Sequence, residues 1–170
     1  MGVRIIDRPQ VPDGYGVQDQ GPYLEWASVE DWLVESTEYW LATTRPDGRP
    51  HVVPRWGVWL DERFWYDGSP MTRHARNLTS NSACALHLES GTTVTIVEGV
   101  SIEPEPIIGE LGERLAAEYS RKFSKLGYEP SPDAWSDEHA GGMHVLTPEK
   151  AIAWSQFPTD MTRYVFDQPS

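Results

Sequence analysis

The feature that most constrains this chain is a series of short apolar runs between residues 39 and 100, separated by turn residues. The runs are rich in Val, Ile, Thr, Trp and Tyr, which favour β-strands. The first turn is Pro46-Asp47-Gly48, in which proline presets its own φ and glycine accepts a positive φ. We therefore predict strands joined by short hairpins over residues 39–44, 51–60, 64–66, 83–88 and 93–100, with one short helix after the third strand.

The second run contains a proline, Pro54, in its middle. Proline has no N–H to donate to a neighbouring strand, so it is rare in the centre of a sheet. Its presence predicts an edge strand, a bulge, or a place where a ligand lies against the strand. These three interpretations remain open at the level of sequence.

The short helix carries a concentration of basic side chains. Gly68 precedes it, Thr72 offers a hydroxyl at its start, and Arg73, His74 and Arg76 fall within one turn. The first N–H groups of a helix lack partners and the macrodipole is positive there, so cationic side chains oppose the local field. This conflict indicates a function, and hydroxyl, guanidinium and helix N–H groups together suit a phosphate. A solvated basic turn is the alternative interpretation.

The order of these elements resembles that of the pyridoxamine 5'-phosphate oxidase-like family of flavin-binding split barrels. The likeness rests on Arg49-Pro-His-Val-Val-Pro54 after the Pro-Asp-Gly turn and on Thr72-Arg-His-Ala-Arg-Asn-Leu78 after the third strand. It extends over about residues 28–166. The resemblance implies a mainly β fold with flanking helices, in which roughly six or seven strands form an antiparallel split β-barrel. It also implies a homodimer with two flavin sites at the interface.

The resemblance assigns roles around the phosphate of flavin mononucleotide (FMN). Thr72, Arg73 and His74 would hold the phosphate, and Asp67 and Gly68 would present backbone groups to it. The family usually has lysine where this chain has His74, and an unperturbed histidine is mostly neutral at neutral pH.

Further residues are implied near the flavin ring. Pro54, Arg55 and Trp56 would lie along the ring within one subunit. Trp154 and Arg163 in the tail would approach from the second subunit, although strand packing also explains Trp154. No side chain stands out as a catalytic acid or base, so the catalytic residues stay unassigned.

The function implied by the resemblance is that of a flavin-dependent oxidoreductase with FMN as cofactor and an unidentified small organic substrate. The alternatives are a deazaflavin-dependent reductase on the same barrel and a non-catalytic protein that binds flavin or haem. A deazaflavin coenzyme carries a polyanionic tail, which a chain of net charge −12 accommodates poorly. FMN is therefore the preferred cofactor.

Composition excludes several other classes of function. A net charge of −12 disfavours nucleic acids and anionic membrane surfaces as partners. No apolar run approaches the ~20 residues of a membrane span, and the N-terminus is too poor in apolar residues for a signal peptide. The cytoplasm is the expected location. The five histidines show no metal-ligand spacing, so no metal is expected.

The flanking regions complete the predicted organisation. Residues 1–27 read as an extended N-terminal arm with little regular structure, and residues 28–170 as a single domain. Ser28 with Asp31 resembles a capping box, which predicts a helix running to about residue 38. Apolar residues recurring every three or four positions predict a helix over residues 108–126, ended by Gly127. The tail predicts two strands, over residues 143–154 and 161–166.

Overall fold

The structure is a computed structural model, which describes residues 2–12, 14 and 20–167. Within these residues there are nine β-strands and three α-helices. The strands are β1 (Val3–Asp7), β2 (Tyr39–Thr44), β3 (Pro50–Arg55), β4 (Val58–Leu60), β5 (Arg63–Tyr66), β6 (Ala83–Leu88), β7 (Val94–Ile102), β8 (His144–Trp154) and β9 (Thr162–Phe166). The helices are α1 (Trp26–Glu35), α2 (Arg73–Ser80) and α3 (Glu110–Phe123).

The strands form an antiparallel split β-barrel in the order β1-β9-β8-β7-β6-β2-β3. The long strand β8 is where the sheet divides. Its start pairs with β5, with Tyr66 opposite His144, and its end pairs with β9. On its other edge β8 pairs with β7 along most of its length. The fold therefore agrees with the predicted split barrel, with more strands than the six or seven expected.

Two apolar cores lie on opposite faces of β5, because side chains alternate along a strand. Phe64 and Tyr66 enter the barrel core, together with side chains from α1, α2 and most strands. Trp65 enters a second core, where α3 and residues 128–143 cover the β4–β5 hairpin. The segment that joins β5 to α2 therefore lies between the barrel core and the second core, which α3 covers.

The predicted strand over residues 51–60 is two strands. β3 ends at Arg55 and β4 begins at Val58, with Trp56 and Gly57 between them. Gly57 lies directly against the Phe64 ring, where even a Cβ would clash. β4 pairs with β5, and this pairing brings Gly57 beside Phe64.

The N-terminal arm contains a strand that the sequence did not predict. Val3–Asp7 forms β1, which pairs with β9 at the edge of the sheet. This pairing is long-range, and the prolines that suggested irregular structure follow the strand. Residues 1, 13, 15–19 and 168–170, which belong to the predicted arm and domain, lie outside the described residues.

Helix α1 begins before the predicted cap. Its N-cap is Glu25, which makes no side-chain capping bond, and the first helical residue is Trp26. The Trp26 ring packs edge-on against Tyr164 at 5.0 Å and Phe166 at 4.9 Å. Burial of this ring outweighs the capping preference of Ser28, so the capping-box prediction is wrong.

Several other expectations agree with the structure. β3 lies at the end of the sheet order, which confirms the edge-strand interpretation of Pro54. α3 continues into a 3-10 turn at Ser124–Leu126, and Gly127 ends it with a φ of 82°. The two tail strands are β8 and β9. Among the described residues, none of the helices combines the length and the apolar character that spanning a lipid bilayer requires.

Candidate functional site

The N-terminus of α2 begins at the residue that the sequence indicated. Thr72 is the N-cap, and its side-chain oxygen accepts a hydrogen bond from the Ala75 N–H at 3.4 Å. The same oxygen lies 3.2 Å from Nε2 of His74. Arg73 and Arg76 are exposed, whereas His74 is buried with 4% of its surface accessible. The two guanidinium groups are therefore available at the surface, and the imidazole lies beneath them.

A hydrogen bond from α2 to the sheet fixes the orientation of the helix. The Asn77 side-chain amide donates to Thr43 Oγ1 at 3.0 Å. Thr43 lies opposite His51 on β3. His74 precedes Asn77 by three residues and shares its helix face. His74 therefore faces the inner side of the β2–β3 hairpin.

The buried imidazole of His74 is held in its neutral form. Burial lowers the pKa of His74 to about 4, and the nearby Arg55, His144 and His51 act in the same direction. A neutral imidazole has one N–H to donate and one nitrogen to accept. His74 is thus a neutral hydrogen-bonding group at pH 7.

Arg55 is the second basic group of the site and projects from the inner face of β3. Its guanidinium donates to the main-chain carbonyl of Asp67 and lies over the Tyr66 ring, 5.8 Å from the centroid. A Cβ at Gly68 would lie 2.8 Å from Arg55 Nη2, so glycine leaves space for the guanidinium. Arg55 Nε is buried and has no hydrogen-bond partner in the described part of the chain.

Asp67 and Gly68 connect the site to the second core. The Asp67 carboxylate accepts hydrogen bonds from the Tyr128 hydroxyl and from Trp135 Nε1, the latter at 3.2 Å. The Gly68 N–H donates to the Gly142 carbonyl at 3.2 Å. These groups therefore hold the β5–α2 connection in place.

Pro54 and Trp56 do not lie with Arg55 and His74 at the N-terminus of α2. Pro54 is exposed on the face of β3 opposite to that of Arg55, because side chains alternate along the strand. The Trp56 ring stacks on Phe123 of α3, with centroids 5.0 Å apart and an interplanar angle of 11°. Of the three residues predicted to lie along the flavin ring, only Arg55 lies with the basic residues at the start of α2.

Trp154 and Arg163 lie far from the N-terminus of α2. Trp154 ends β8, and Arg163 on β9 is paired with Ile152 near that end. Trp154 lies ten positions after His144, at the other end of the strand, which at ~3.3 Å per residue is roughly 30 Å. Arg163 forms a two-point ion pair with Asp7 on β1, at 2.7 and 2.5 Å. Within one chain the structure therefore brings together six of the ten predicted residues, namely Arg55, Asp67, Gly68, Thr72, Arg73 and His74.

Sequence reasoning missed two histidines in this region. His144 stacks on Tyr66, with ring centroids 5.5 Å apart, and the same Tyr66 ring lies 6.1 Å from His74. Burial lowers the pKa of His144, and burial with the charges of Arg45 and Arg73 lowers the pKa of His51. The even spacing of residues 51 and 55 on one strand is the signal that could have placed His51 on the inner face.

The described residues contain no group of three His, Cys, Asp or Glu side chains placed to hold a metal ion. The basic cluster instead presents N–H donors from two guanidiniums and a neutral imidazole around a helix N-terminus. Such a set suits an anion of low charge, such as a phosphate monoester.

Comparisons with known proteins relate the chain to one family. The family model described as pyridoxamine 5'-phosphate oxidase matches residues 26–153. A search of curated proteins found no significant match.

Three solved structures illustrate the likeness in fold. The conserved hypothetical protein Rv2991 from Mycobacterium tuberculosis is 20% identical with a TM-score of 0.58, and the match covers 81% of this chain and 89% of that protein. An F420 reductase is 20% identical with a TM-score of 0.52, with coverage of 86% and 100%. A heme binding protein from Mycobacterium smegmatis is 18% identical with a TM-score of 0.59; the match covers 78% of this chain and 55% of that one.

Proposed function

Because the chain belongs to the pyridoxamine 5'-phosphate oxidase family, we propose that it is a flavin-dependent oxidoreductase that binds FMN and acts on a small organic molecule. The observation that carries this proposal is the basic cluster at the N-terminus of α2. Arg73 is exposed beside the N-cap hydroxyl of Thr72, and Arg55 approaches from β3 with a buried Nε that lacks a partner. A buried donor without an acceptor is unfavourable, and a bound anion would remove that defect.

The residues present fit the phosphate end of FMN. Arg73 and Thr72 would hold the phosphate, assisted by the first free N–H groups of α2. The neutral His74 would act through a hydrogen bond rather than through a charge. Bound FMN would supply hydride transfer, for which protein side chains have no substitute. The chain's own contribution is to bind and orient the cofactor.

We further propose that a second copy of this chain covers the outer face of the sheet. A row of cross-strand neighbours on this face, Val52, Ala42 and Ala85, continues to Glu98 on β7. Val52 is 50% exposed, although it is apolar. Small side chains from β2 and β6 line a depression of about 400 Å³. Apolar side chains of the three helices, such as Leu33, Leu78 and Leu115, pack into the two cores instead.

The charges on this face suit association of two copies despite the net charge of −12. Lys150 pairs with Glu98 at 2.7 Å, and Arg163 pairs with Asp7 at 2.5 Å. These two ion pairs neutralise four charges of this face within the chain, while Glu149 at the depression carries an exposed negative charge. Trp154 lies far from the N-terminus of α2 in its own chain. In a dimer it would approach the corresponding site of the partner subunit.

The proposal is tested by the absorption spectrum of the purified protein, followed by mass analysis of the released cofactor. FMN predicts a flavin spectrum and a released mononucleotide. A haem spectrum or a released deazaflavin would contradict FMN and favour one of the two alternatives. A single-turnover reduction by a reduced nicotinamide or deazaflavin donor then separates an enzyme from a binding protein.

A deazaflavin-dependent reductase is the second candidate, because the fold matches that of a solved F420 reductase over 100% of that chain. The long anionic tail of such a coenzyme would need more fixed positive charge than Arg55, Arg73 and Arg76 supply. Titration of the cofactor-free protein with FMN and with the deazaflavin coenzyme compares the two directly. Tighter binding of the deazaflavin would overturn the choice of FMN.

A further inference from the structure

We propose that a cavity at the C-terminal end of α2 binds the primary ammonium group of a small alkylamine. The proposed FMN site lies at the opposite, N-terminal end of the same helix. The inference therefore does not rest on the FMN function, and it concerns a site that neither the sequence motif nor the family match assigns.

The cavity lies where the last turn of α2 meets the end of β7 and the start of β8. It has a volume of about 290 Å³ and is lined by Leu78, Thr79, Ser101, Ile102, Glu103 and His144. Two of these residues are aliphatic, one is acidic, and none carries a guanidinium or an ammonium group. The cavity therefore suits a small organic molecule that has an apolar chain and a positive charge.

His144 provides a hydrogen-bond acceptor of fixed orientation. The residue is 7% exposed, its ring stacks on Tyr66 with centroids 5.5 Å apart, and Nδ1 lies 3.3 Å from the Gly142 carbonyl oxygen. A carbonyl oxygen can only accept, so Nδ1 carries the proton. Burial lowers the pKa of His144, so the ring is neutral and Nε2 has a lone pair to offer. Nε2 has no partner among the described residues, and an acceptor on so deeply buried a side chain is stabilised by a donor from a ligand.

Glu103 places a carboxylate beside this imidazole. One of its oxygens, Oε1, lies 3.2 Å from Nδ1 of His139, and Oε2 has no partner in the described part of the chain. The carboxylate is close enough to His144 to act on the pKa of its imidazole, which it raises against the larger effect of burial. Glu103 and His144 therefore offer two acceptors, one of them charged, to a single ligand.

Thr79 adds a further acceptor at the end of the helix. Its hydroxyl donates to the Ala75 carbonyl at 3.2 Å, which leaves its lone pairs free to accept. The last turn of a helix also carries a partial negative charge from its unpaired carbonyl groups. Arg55 is the opposing charge, since it lowers the pKa of His144, but it is hydrogen-bonded to the Asp67 carbonyl and does not line the cavity.

These groups select a primary ammonium over other small ligands. Its three N–H donors match the acceptors of Glu103, His144 and Thr79, and its charge is opposite to that of the carboxylate. Its alkyl chain would pack against Leu78 and Ile102. A quaternary ammonium carries the charge without an N–H donor, and a carboxylate ligand would be repelled. Binding thus requires both a positive charge and N–H groups.

The test is an NMR chemical-shift titration of the purified full chain with n-propylammonium chloride at pH 7.5 and constant ionic strength. Tetramethylammonium chloride is the first comparison, because it has the same charge but no N–H donor, and sodium propionate is the second. Propylammonium should bind saturably and shift the signals of Thr79, Glu103 and His144, whereas neither comparison salt should. Equal binding of the two cations would overturn the inference, because a chain of net charge −12 attracts any cation.

Two variants remove the proposed acceptors. Glu103→Gln should weaken propylammonium binding by roughly tenfold, because it removes a charge-assisted hydrogen bond while the size of the side chain is kept. The matched control is Glu105→Gln, which makes the same charge change at an exposed acid two residues away. His144→Phe keeps a ring that can stack on Tyr66 but removes the acceptor, and should weaken binding by roughly fivefold.

The outcomes are decisive even if His144→Phe fails to fold, which circular dichroism would show, because Glu103→Gln is nearly isosteric. Weaker binding in Glu103→Gln with unchanged binding in Glu105→Gln supports the inference. Equal effects of these two changes would overturn it, since binding would then follow net charge alone. The absence of saturable binding to the natural chain would also overturn it. The FMN function is tested separately by the absorption spectrum, so either proposal can fail without the other.

Discussion

The Asp67 carboxylate accepts a hydrogen bond from Trp135 Nε1 at 3.2 Å, and the main-chain carbonyl of Asp67 accepts one from Arg55. The same carboxylate oxygen also accepts from the Tyr128 hydroxyl. One residue thus links the guanidinium in the proposed flavin site to two aromatic side chains of the α3 layer. A change in the segment from Tyr128 to Trp135 would therefore reach the site through Asp67.

Asp67→Ala should destabilise the fold by about 2–4 kcal/mol, because it leaves the buried Trp135 Nε1 and the half-buried Tyr128 hydroxyl without their acceptor. Urea unfolding of the cofactor-free protein measures the loss. Glu129→Ala is the control, since Glu129 is an exposed acid next to Tyr128 in the same segment. Equal, small effects of the two changes would show that the aromatic donors find other partners.

Gly57→Ala should destabilise the fold by about 1–3 kcal/mol through overpacking against Phe64. The added methyl should also displace Trp56, which would alter the intrinsic fluorescence. The matched control is Gly91→Ala, because a Cβ at Gly91 would meet no atom within 4 Å. A stable Gly57→Ala variant with unchanged fluorescence would contradict the tight packing of Gly57 against Phe64.

The stability of the cofactor-free protein should fall as the pH is lowered from 7 to 5, in part because of His74. Its pKa is lowered by burial to about 4, below its value in the unfolded chain. The unfolded state therefore binds the proton first. Stability is fully present above the unfolded pKa of about 6.5 and is lost as pH falls toward 4, with about 2 kcal/mol lost by pH 5.

Urea unfolding at both pH values measures this effect, with His74→Gln as the comparison. The variant keeps Arg55, His51 and His144, which face the same position, but cannot titrate at residue 74. The natural chain should lose about 2 kcal/mol more than the variant over this interval. Equal losses would place the acid sensitivity on another group.

Arg73→Ala should weaken FMN binding by roughly ten- to a hundredfold, since a charge-assisted contact to phosphate contributes on the order of 1.5–3 kcal/mol. Fluorescence titration with FMN and riboflavin measures the change for each ligand. Riboflavin should be nearly unaffected because it carries no phosphate. Equal losses for both ligands would contradict a phosphate contact at Arg73.

Val52→Asp should separate the proposed dimer, because it adds a charge to the outer face of the edge strand β3. Light scattering at micromolar concentration should give about twice the chain mass of 19.2 kDa for the natural protein and the single-chain mass for the variant. Leu126→Asp is the control, since Leu126 is 63% exposed at the end of α3, away from this face. A natural protein that binds FMN as a monomer would refute the interface.

Much of the fold could be predicted because short-range chemistry specifies it. The Thr72 hydroxyl caps α2 through its own neighbours, Gly127 ends α3 with a positive φ, and Pro54 indicated an edge strand as one of three interpretations. Each of these depends on atoms within a few residues. The split between β3 and β4 was missed because it accompanies the pairing of β4 with β5, which brings Gly57 against Phe64, seven residues further along the chain.

The sequence by itself determined the family, the mainly β architecture and the basic segment at the start of α2. These follow from alternation, turn chemistry and residue type, which are local properties of the chain. Only the tertiary structure decided that His51 and Arg55 meet His74, and that Arg163 pairs with Asp7. Those contacts depend on strand register and helix packing, which are set by the burial of apolar surface across the whole domain. The same burial makes α1 begin at Trp26, after the N-cap Glu25, and not at the cap predicted at Ser28.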